Sequence, residues 1–201
     1  MRYQIRHTTT HEYAEAVTLA HHIVRLRPRA DARQRCLKHG LHVDPQPSVL
    51  QTRSDCYGNL YSFISVSGDH TRFTVESTAD VITSASALPA AEDTPAWEQV
   101  RDQFMGDGQP ENTAAWEFVF PSPSVGRHPE LHALAVPSFT RDRPLLEAVR
   151  DLTARIFKEF TFDDTATTVA TPLNEVLRLR RGVCQDFAHL EIGCLRAMGL
   201  P

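Results

Sequence analysis

The spacing of apolar residues changes once along this chain, and that change constrains the fold more than any other feature of the sequence. Up to about residue 83, apolar residues recur at every second position, which is typical of strands with one buried face. From Asp142 onward they follow the spacing of one helix face, at Leu145, Val149, Leu152, Ile156 and Phe160. The sequence therefore predicts an α+β fold in which strands come first and helices follow.

Turn signals divide the first part of the chain into short strands. They lie at residues 27–29, 44–47, 57–59 and 67–69, where Pro, Gly, Asn and Asp concentrate. Several short strands at this spacing are typical of a small antiparallel sandwich or barrel. We expect residues 1–85 to form an N-terminal antiparallel β-sandwich domain.

The rest of the chain is expected to form a connecting region and a helical domain. Residues 86–140 are rich in Ala, Ser and Pro, which predicts a connection with one short helix near 96–104. Trp97 and Trp116 are expected to anchor this connection to a core. Residues 141–201 then form the last domain.

Three helices are predicted within residues 141–201. The first is expected to be capped by Asp142, and the second begins at Thr171-Pro172 with Thr171 as its cap. Gly182 ends the second helix, and the third begins near Cys184.

Charge and composition exclude several classes of protein. The chain has 21 Lys and Arg against 25 Asp and Glu, a net charge of -4, so we expect no nucleic-acid partner and no anionic membrane surface. The basic run over residues 25–38 is interpreted as exposed strand positions. No window has the apolar length of a membrane span or of a signal peptide, and we expect a cytoplasmic protein with reduced thiols.

One cysteine is a candidate nucleophile. Cys184 follows Gly182-Val183 and falls in the first turn of the predicted third helix, beside unpaired backbone amides and the positive end of the helix dipole. These surroundings favour a thiolate, and the Cys184 amide could stabilise an oxyanion. The alternative is a small apolar residue packed in a helix, as expected for Cys194, and position alone leaves both open.

The sequence around Cys184 resembles a known family. TPLNEVLRLRRGVCQDFAHLEIGCLRAMGLP, with GVCQDFAHL as its most specific part, is similar to the nucleophile segment of bacterial transglutaminase-like proteins, which are often described as cysteine proteases. FTFDDTATTVATPL resembles the approach to that segment. YQIRHTTTHEY, VRLRPR and SVSGDHTRFTVES resemble the β-rich domain that precedes the core in this family.

The resemblance implies a papain-like, transglutaminase-like core with Cys184 as the nucleophile. It implies a cysteine hydrolase, a peptidase or amidase, that attacks an amide through a thiolate acyl-enzyme without a cofactor. The histidine and aspartate of such a triad would lie on later strands, so we expect a truncated core and a chain that is inactive alone. Asp186 is expected to cap the first turn, His189 to pack behind the nucleophile helix, and Gln185 to lie near the oxyanion.

Two further expectations concern metals and partners. Cys36, His39 and His42 have metal-like spacing, but residue 39 of a strand faces away from the other two, so no metal is expected. The alternative to an enzyme is a non-catalytic β-sandwich module for binding or assembly with an inert core remnant. In either case, the apolar faces of the core helices lack their sheet and are expected to drive self-association.

Overall fold

Two units, Met1–Ala87 and Leu88–Pro201, make up the chain. The computed structural model describes residues 1–85, 89–105 and 113–201. The first unit consists of antiparallel strands and the second consists mainly of helices, so the predicted α+β class is confirmed.

The first unit is built around one long central strand. Its strands are β1 (Arg2–Val24), β2 (Gln34–Asp44), β3 (Val49–Ser54) and β4 (Leu60–Thr83). β4 pairs with β1 along one edge, and with β2 and β3 in succession along the other, always antiparallel. Alternate residues of β4 are buried, among them Phe73, Val75, Ala79 and Val81, because a half-buried strand points every second side chain inward.

This sheet folds over on itself. The register of β1 against β4 shifts between Glu12 and Leu19, which are positions where bulges bend a strand. Ile64 from the first half of β4 therefore shares one core with Phe73 from the second half. Within the described residues, the four strands of this unit thus form a single sheet, whereas the prediction was a sandwich.

The second unit contains six described helices and a pair of very short strands. The helices are α1 (Trp97–Met105), α2 (Thr113–Trp116), α3 (Pro129–Ala135), α4 (Leu145–Glu159), α5 (Leu173–Leu179) and α6 (Cys184–Ala197). β5 (Thr161–Phe162) and β6 (Arg181–Gly182) pair in parallel. Single 3-10 turns lie at Ala91–Asp93 and Glu117–Val119.

The core of this unit is apolar and includes the segment expected to be a connection. Leu152 from α4 and Leu190 from α6 are completely buried. Trp97 and Leu131, both within residues 86–140, pack in the same core, and the Trp97 indole N–H donates to the Thr140 carbonyl at 2.9 Å. Trp116, by contrast, is 47% exposed and does not anchor this segment.

The caps of α4 and α5 differ from those predicted. Asp142 has a φ of +57°, and α4 starts after Pro144 with no side-chain cap from its N-cap residue. Instead, the Leu146 amide donates to the Thr94 hydroxyl at 3.1 Å. Thr171 does not cap α5 either, because its hydroxyl oxygen accepts the Thr168 amide at 2.8 Å.

Candidate active site at the start of α6

The two short strands fix the point at which α6 begins. Arg180 ends α5 in the left-handed conformation, with a φ of +52°. The Thr161 amide then donates to the Arg180 carbonyl at 2.9 Å, and the Asp163 amide donates to the Gly182 carbonyl at 2.9 Å. The chain entering α6 is therefore tied to the segment that follows α4.

Cys184 is the first residue of α6 and its side chain is exposed. Val183, the N-cap residue, is extended, with φ -111° and ψ 177°. In the described part of the chain, the amides of Cys184, Gln185 and Asp186 have no hydrogen-bond acceptor. The thiol thus lies at the positive end of the helix dipole beside free N–H donors, which is an arrangement that stabilises negative charge.

Asp186, in the first turn of α6, has a buried carboxylate that joins two segments. Its side chain is only 4% exposed. The same oxygen, Oδ2, accepts the Val183 amide at 2.8 Å and the Thr167 hydroxyl at 2.6 Å. The bond to Val183 is the half of a capping box in which the third helical residue accepts the N-cap amide.

Gly182 is required by the position of Asp186. A β-carbon at residue 182 would lie 2.5 Å from Asp186 Oδ2 and 3.0 Å from Asp186 Cβ. The first distance is closer than nonbonded atoms approach one another, and the second is a tight contact. Glycine at this position therefore allows the carboxylate to reach back to the Val183 amide.

Gln185 and His189 lie on α6, at the second and sixth helical positions. Gln185 is exposed and His189 is half-buried. Within the described residues, neither side chain has a hydrogen bond or an ion pair, and no hydrogen bond joins a histidine to Cys184. The site thus holds a thiol, free amides and a buried carboxylate, but no bonded thiol–imidazole pair in this part of the molecule.

Cys194 lies in a contrasting environment on the same helix. It is completely buried in the core of the second unit. Burial, with a further contribution from the charge of Glu191, raises the pKa of the Cys194 thiol to about 12. This cysteine is therefore a packing residue and a natural internal reference for Cys184.

Thr167 is the site residue that the sequence did not indicate as important. It is separated from Asp186 by 19 positions, and a threonine in a Thr-rich segment carries no local signal for such a bond. The only cue in the sequence is indirect: an acidic side chain that is buried at a helix N-terminus needs a hydrogen-bond donor besides the N-cap amide, and Thr167 supplies it.

The described residues contain no group of three or more His, Cys, Asp or Glu side chains that could hold a metal ion. His39 Nε2 is instead 3.0 Å from the Ser77 hydroxyl, and the Cys36 thiol donates to the Lys38 carbonyl at 3.5 Å. In the same described part, no helix combines the length and apolar character needed to cross a membrane.

Comparison with known proteins gives relatives for the whole chain. Uncharacterised proteins of Mycobacterium tuberculosis and Mycobacterium bovis are 40% identical over 204 residues, covering 99% of this chain. The chain spans 63% of the length of these relatives. An uncharacterised protein of Mycobacterium leprae is 24% identical over 201 residues, which are 100% of this chain and 68% of that protein.

A solved structure shares the fold. It is the crystal structure of a protein from Cytophaga hutchinsonii named a putative cysteine protease, with a TM-score of 0.72 at 21% identity. The match covers 100% of this chain and 67% of that one. At this level of identity the likeness concerns the fold, and it extends over both units described above.

Two family models match the two units separately. Residues 3–82 match the bacterial transglutaminase-like N-terminal region, and residues 132–201 match the transglutaminase-like superfamily. The second match contains Cys184, Asp186 and Thr167. The resemblance inferred from the sequence is thereby confirmed: residues 3–82 are similar to the N-terminal region of bacterial transglutaminase-like proteins, and residues 132–201 are similar to the transglutaminase-like superfamily.

Proposed function

We propose that Cys184 is the nucleophile of a cysteine hydrolase that cleaves an amide bond in a peptide or related substrate. The observation that carries this proposal is an exposed thiol at the first position of α6, beside amides that have no acceptor among the described residues. The superfamily match over residues 132–201 supports it, as does the name of the structural relative.

The proposed reaction uses this geometry. The Cys184 thiolate attacks the carbonyl carbon, and the oxygen of the tetrahedral intermediate takes up the electron pair and accepts hydrogen bonds from the free amides of Cys184 and Gln185. The carbon–nitrogen bond breaks, the amine leaves with a proton, and a thioester remains. Water then attacks the thioester, which releases the acid and restores the thiol. We favour hydrolysis of the thioester over transfer of the acyl group to an amine.

Proton transfer requires a base that the described residues do not bring to Cys184 by a hydrogen bond. The family resemblance implies a histidine for this role and an aspartate that orients it. We infer that the 201-residue chain alone does not turn over substrate and that a complete site needs these groups. Its cysteine chemistry is nevertheless open to a direct test.

The test is the pH dependence of alkylation at each cysteine, measured by mass spectrometry of peptides after reaction with iodoacetamide. Cys56 is the matched control, because it is also an exposed free thiol but lies in a turn of the first unit. We expect Cys184 to react at lower pH than Cys56, and Cys194, whose pKa is raised to about 12, to react only after unfolding. Identical profiles for Cys184 and Cys56 in the folded chain would refute the proposal.

A second candidate function is assembly, and exposed apolar side chains favour it. Phe157 on α4 is 88% exposed, Phe162 on β5 is 66% exposed and Val169 is 89% exposed. The proposal assigns these side chains to an association surface, because contiguous exposed apolar patches mark sites of protein–protein association. In this case the unit would associate through its core helices while Cys184 remained inert, and the alkylation profiles distinguish the two functions.

A further inference from the structure

A buried carboxylate at the N-terminus of a catalytic helix can do more than stabilise the helix. Asp186 is inside the protein, yet its oxygen Oδ2 is shared by donors from two separate segments. One donor, the Val183 amide, is one residue before Cys184. The other, the Thr167 hydroxyl, belongs to the loop between β5 and α5.

Each bond of this arrangement is short and charge-assisted. The oxygen–oxygen distance to Thr167 is 2.6 Å and the nitrogen–oxygen distance to Val183 is 2.8 Å, within the range of strong hydrogen bonds to a carboxylate. Only a glycine at residue 182 leaves room for the carboxylate at this position, because an added β-carbon would lie 2.5 Å from Oδ2. Asp186 is thus held by two hydrogen bonds, one from each segment.

We propose that Asp186 is a positioning residue for Cys184, acting through a latch made of Asp186, Thr167 and the Val183 amide. The latch keeps the 165–168 loop against the start of α6 and fixes the direction in which Cys184 is presented. It also occupies the Val183 amide, so that the free donors near the thiol are those of Cys184, Gln185 and Asp186 itself. The inference rests on the proposed function only for its effect on Cys184 chemistry.

The same loop provides a matched control. The Thr165 hydroxyl donates to Asp163 Oδ1 at 2.7 Å, only two residues from Thr167, but it is exposed and does not contact Asp186. Thr165→Val therefore removes a hydroxyl hydrogen bond from the same loop without opening the latch. Thr167→Ser keeps the hydroxyl and serves as the conservative variant.

The experiment combines hydrogen exchange with cysteine alkylation in the full chain. Thr167→Val and Asp186→Asn should each raise amide exchange about tenfold or more, both in the 165–168 loop and at the hydrogen-bonded amides of Val183 and Phe187, since each removes or weakens a bond to a buried charge. The pH–rate profile of Cys184 alkylation should move towards that of the same cysteine in concentrated urea. Thr167→Ser and Thr165→Val should keep the exchange at Val183 and Phe187 and the alkylation profile of the parent.

Two results would overturn the inference. In the first, Thr167→Val raises exchange in its own loop but leaves Val183 and Phe187 unchanged, which means that the two segments are not coupled. In the second, exchange rises in both segments but the Cys184 profile does not move, which means that the latch braces the loop only. If the parent profile already equals that in urea, the proposed nucleophile fails, and the exchange data alone decide whether the latch exists.

Discussion

Replacing Gly182 with alanine should destabilise the start of α6. The new β-carbon would lie 2.5 Å from Asp186 Oδ2 and 3.0 Å from Asp186 Cβ. The contact with the Asp186 β-carbon is relieved by a shift of a few tenths of an ångström, but the carboxylate oxygen must move much further. Relief of the clash therefore takes Oδ2 away from the position at which it accepts the Val183 amide and the Thr167 hydroxyl.

The size of the effect follows from opposing contributions. Overpacking of this kind costs about 1–3 kcal/mol. Losing a hydrogen bond to a buried charge costs roughly 1.5–3 kcal/mol. The backbone of Gly182 is outside the left-handed region, so alanine returns about 0.4–1 kcal/mol by restricting the unfolded chain. We expect Gly182→Ala to lower the free energy of unfolding of the second unit by about 2–4 kcal/mol.

Urea unfolding followed by tryptophan fluorescence measures this unit selectively, because Trp97 and Trp116 are the only tryptophans and both belong to it. Gly126→Ala is the control, since its β-carbon would meet its nearest neighbour at 3.4 Å, an ordinary contact distance. That variant should change stability by less than about 0.5 kcal/mol. If Gly182→Ala lowers the free energy of unfolding no more than Gly126→Ala does, the crowding between residue 182 and Asp186 does not determine the stability of the start of α6.

Two other predictions concern pH and association. The pKa of His22 is lowered by burial and by His11, so its contribution to the stability of the first unit should be complete above about pH 6.5 and lost as pH falls below it. In urea titrations followed by hydrogen exchange, His22→Phe should reduce this loss of stability in acid, whereas His7→Gln, at an exposed position, should not. The chain should self-associate in size-exclusion chromatography with light scattering, and Phe157→Ser should reduce the association, whereas a compact parent monomer at all concentrations would contradict it.

The periodicity of the sequence was sufficient to identify the major elements. Leu152 and Ile156 of the predicted helix face are buried, and Leu145 and Val149 pack at its edge, because a helix against a core repeats its contacts every three or four residues. The predicted short helix near 96–104 corresponds to α1, Trp97–Met105. Periodicity did not show that β1 and β4 are long strands, or that β4 runs through the turn signal at residues 67–69, since a bent strand with bulges resembles two short ones in sequence.

Caps were the least accessible feature to prediction. Asp142 and Thr171 have suitable residue types and positions, yet the hydroxyl near the start of α4 comes from Thr94, 52 residues before the amide that it accepts. A donor or acceptor brought in by tertiary packing satisfies a helix end as well as a neighbour in sequence does. Local rules therefore name candidates for a cap, and only packing determines which of them is used.

The candidate site depends both on local sequence and on contacts made by tertiary packing. The sequence shows Cys184 with Gly182 before it and Asp186 after it, and in this structure the Asp186 side chain that accepts the N-cap amide leaves no room for a β-carbon at residue 182. The role of Asp186 at the first turn could be predicted from the sequence, whereas the need for glycine four positions earlier is visible only in the structure. Thr167 belongs to a separate segment, and its bond to Asp186 depends on β5 pairing with β6. The position of the thiol is thus determined partly by a motif of five residues and partly by a contact that only the folded chain creates.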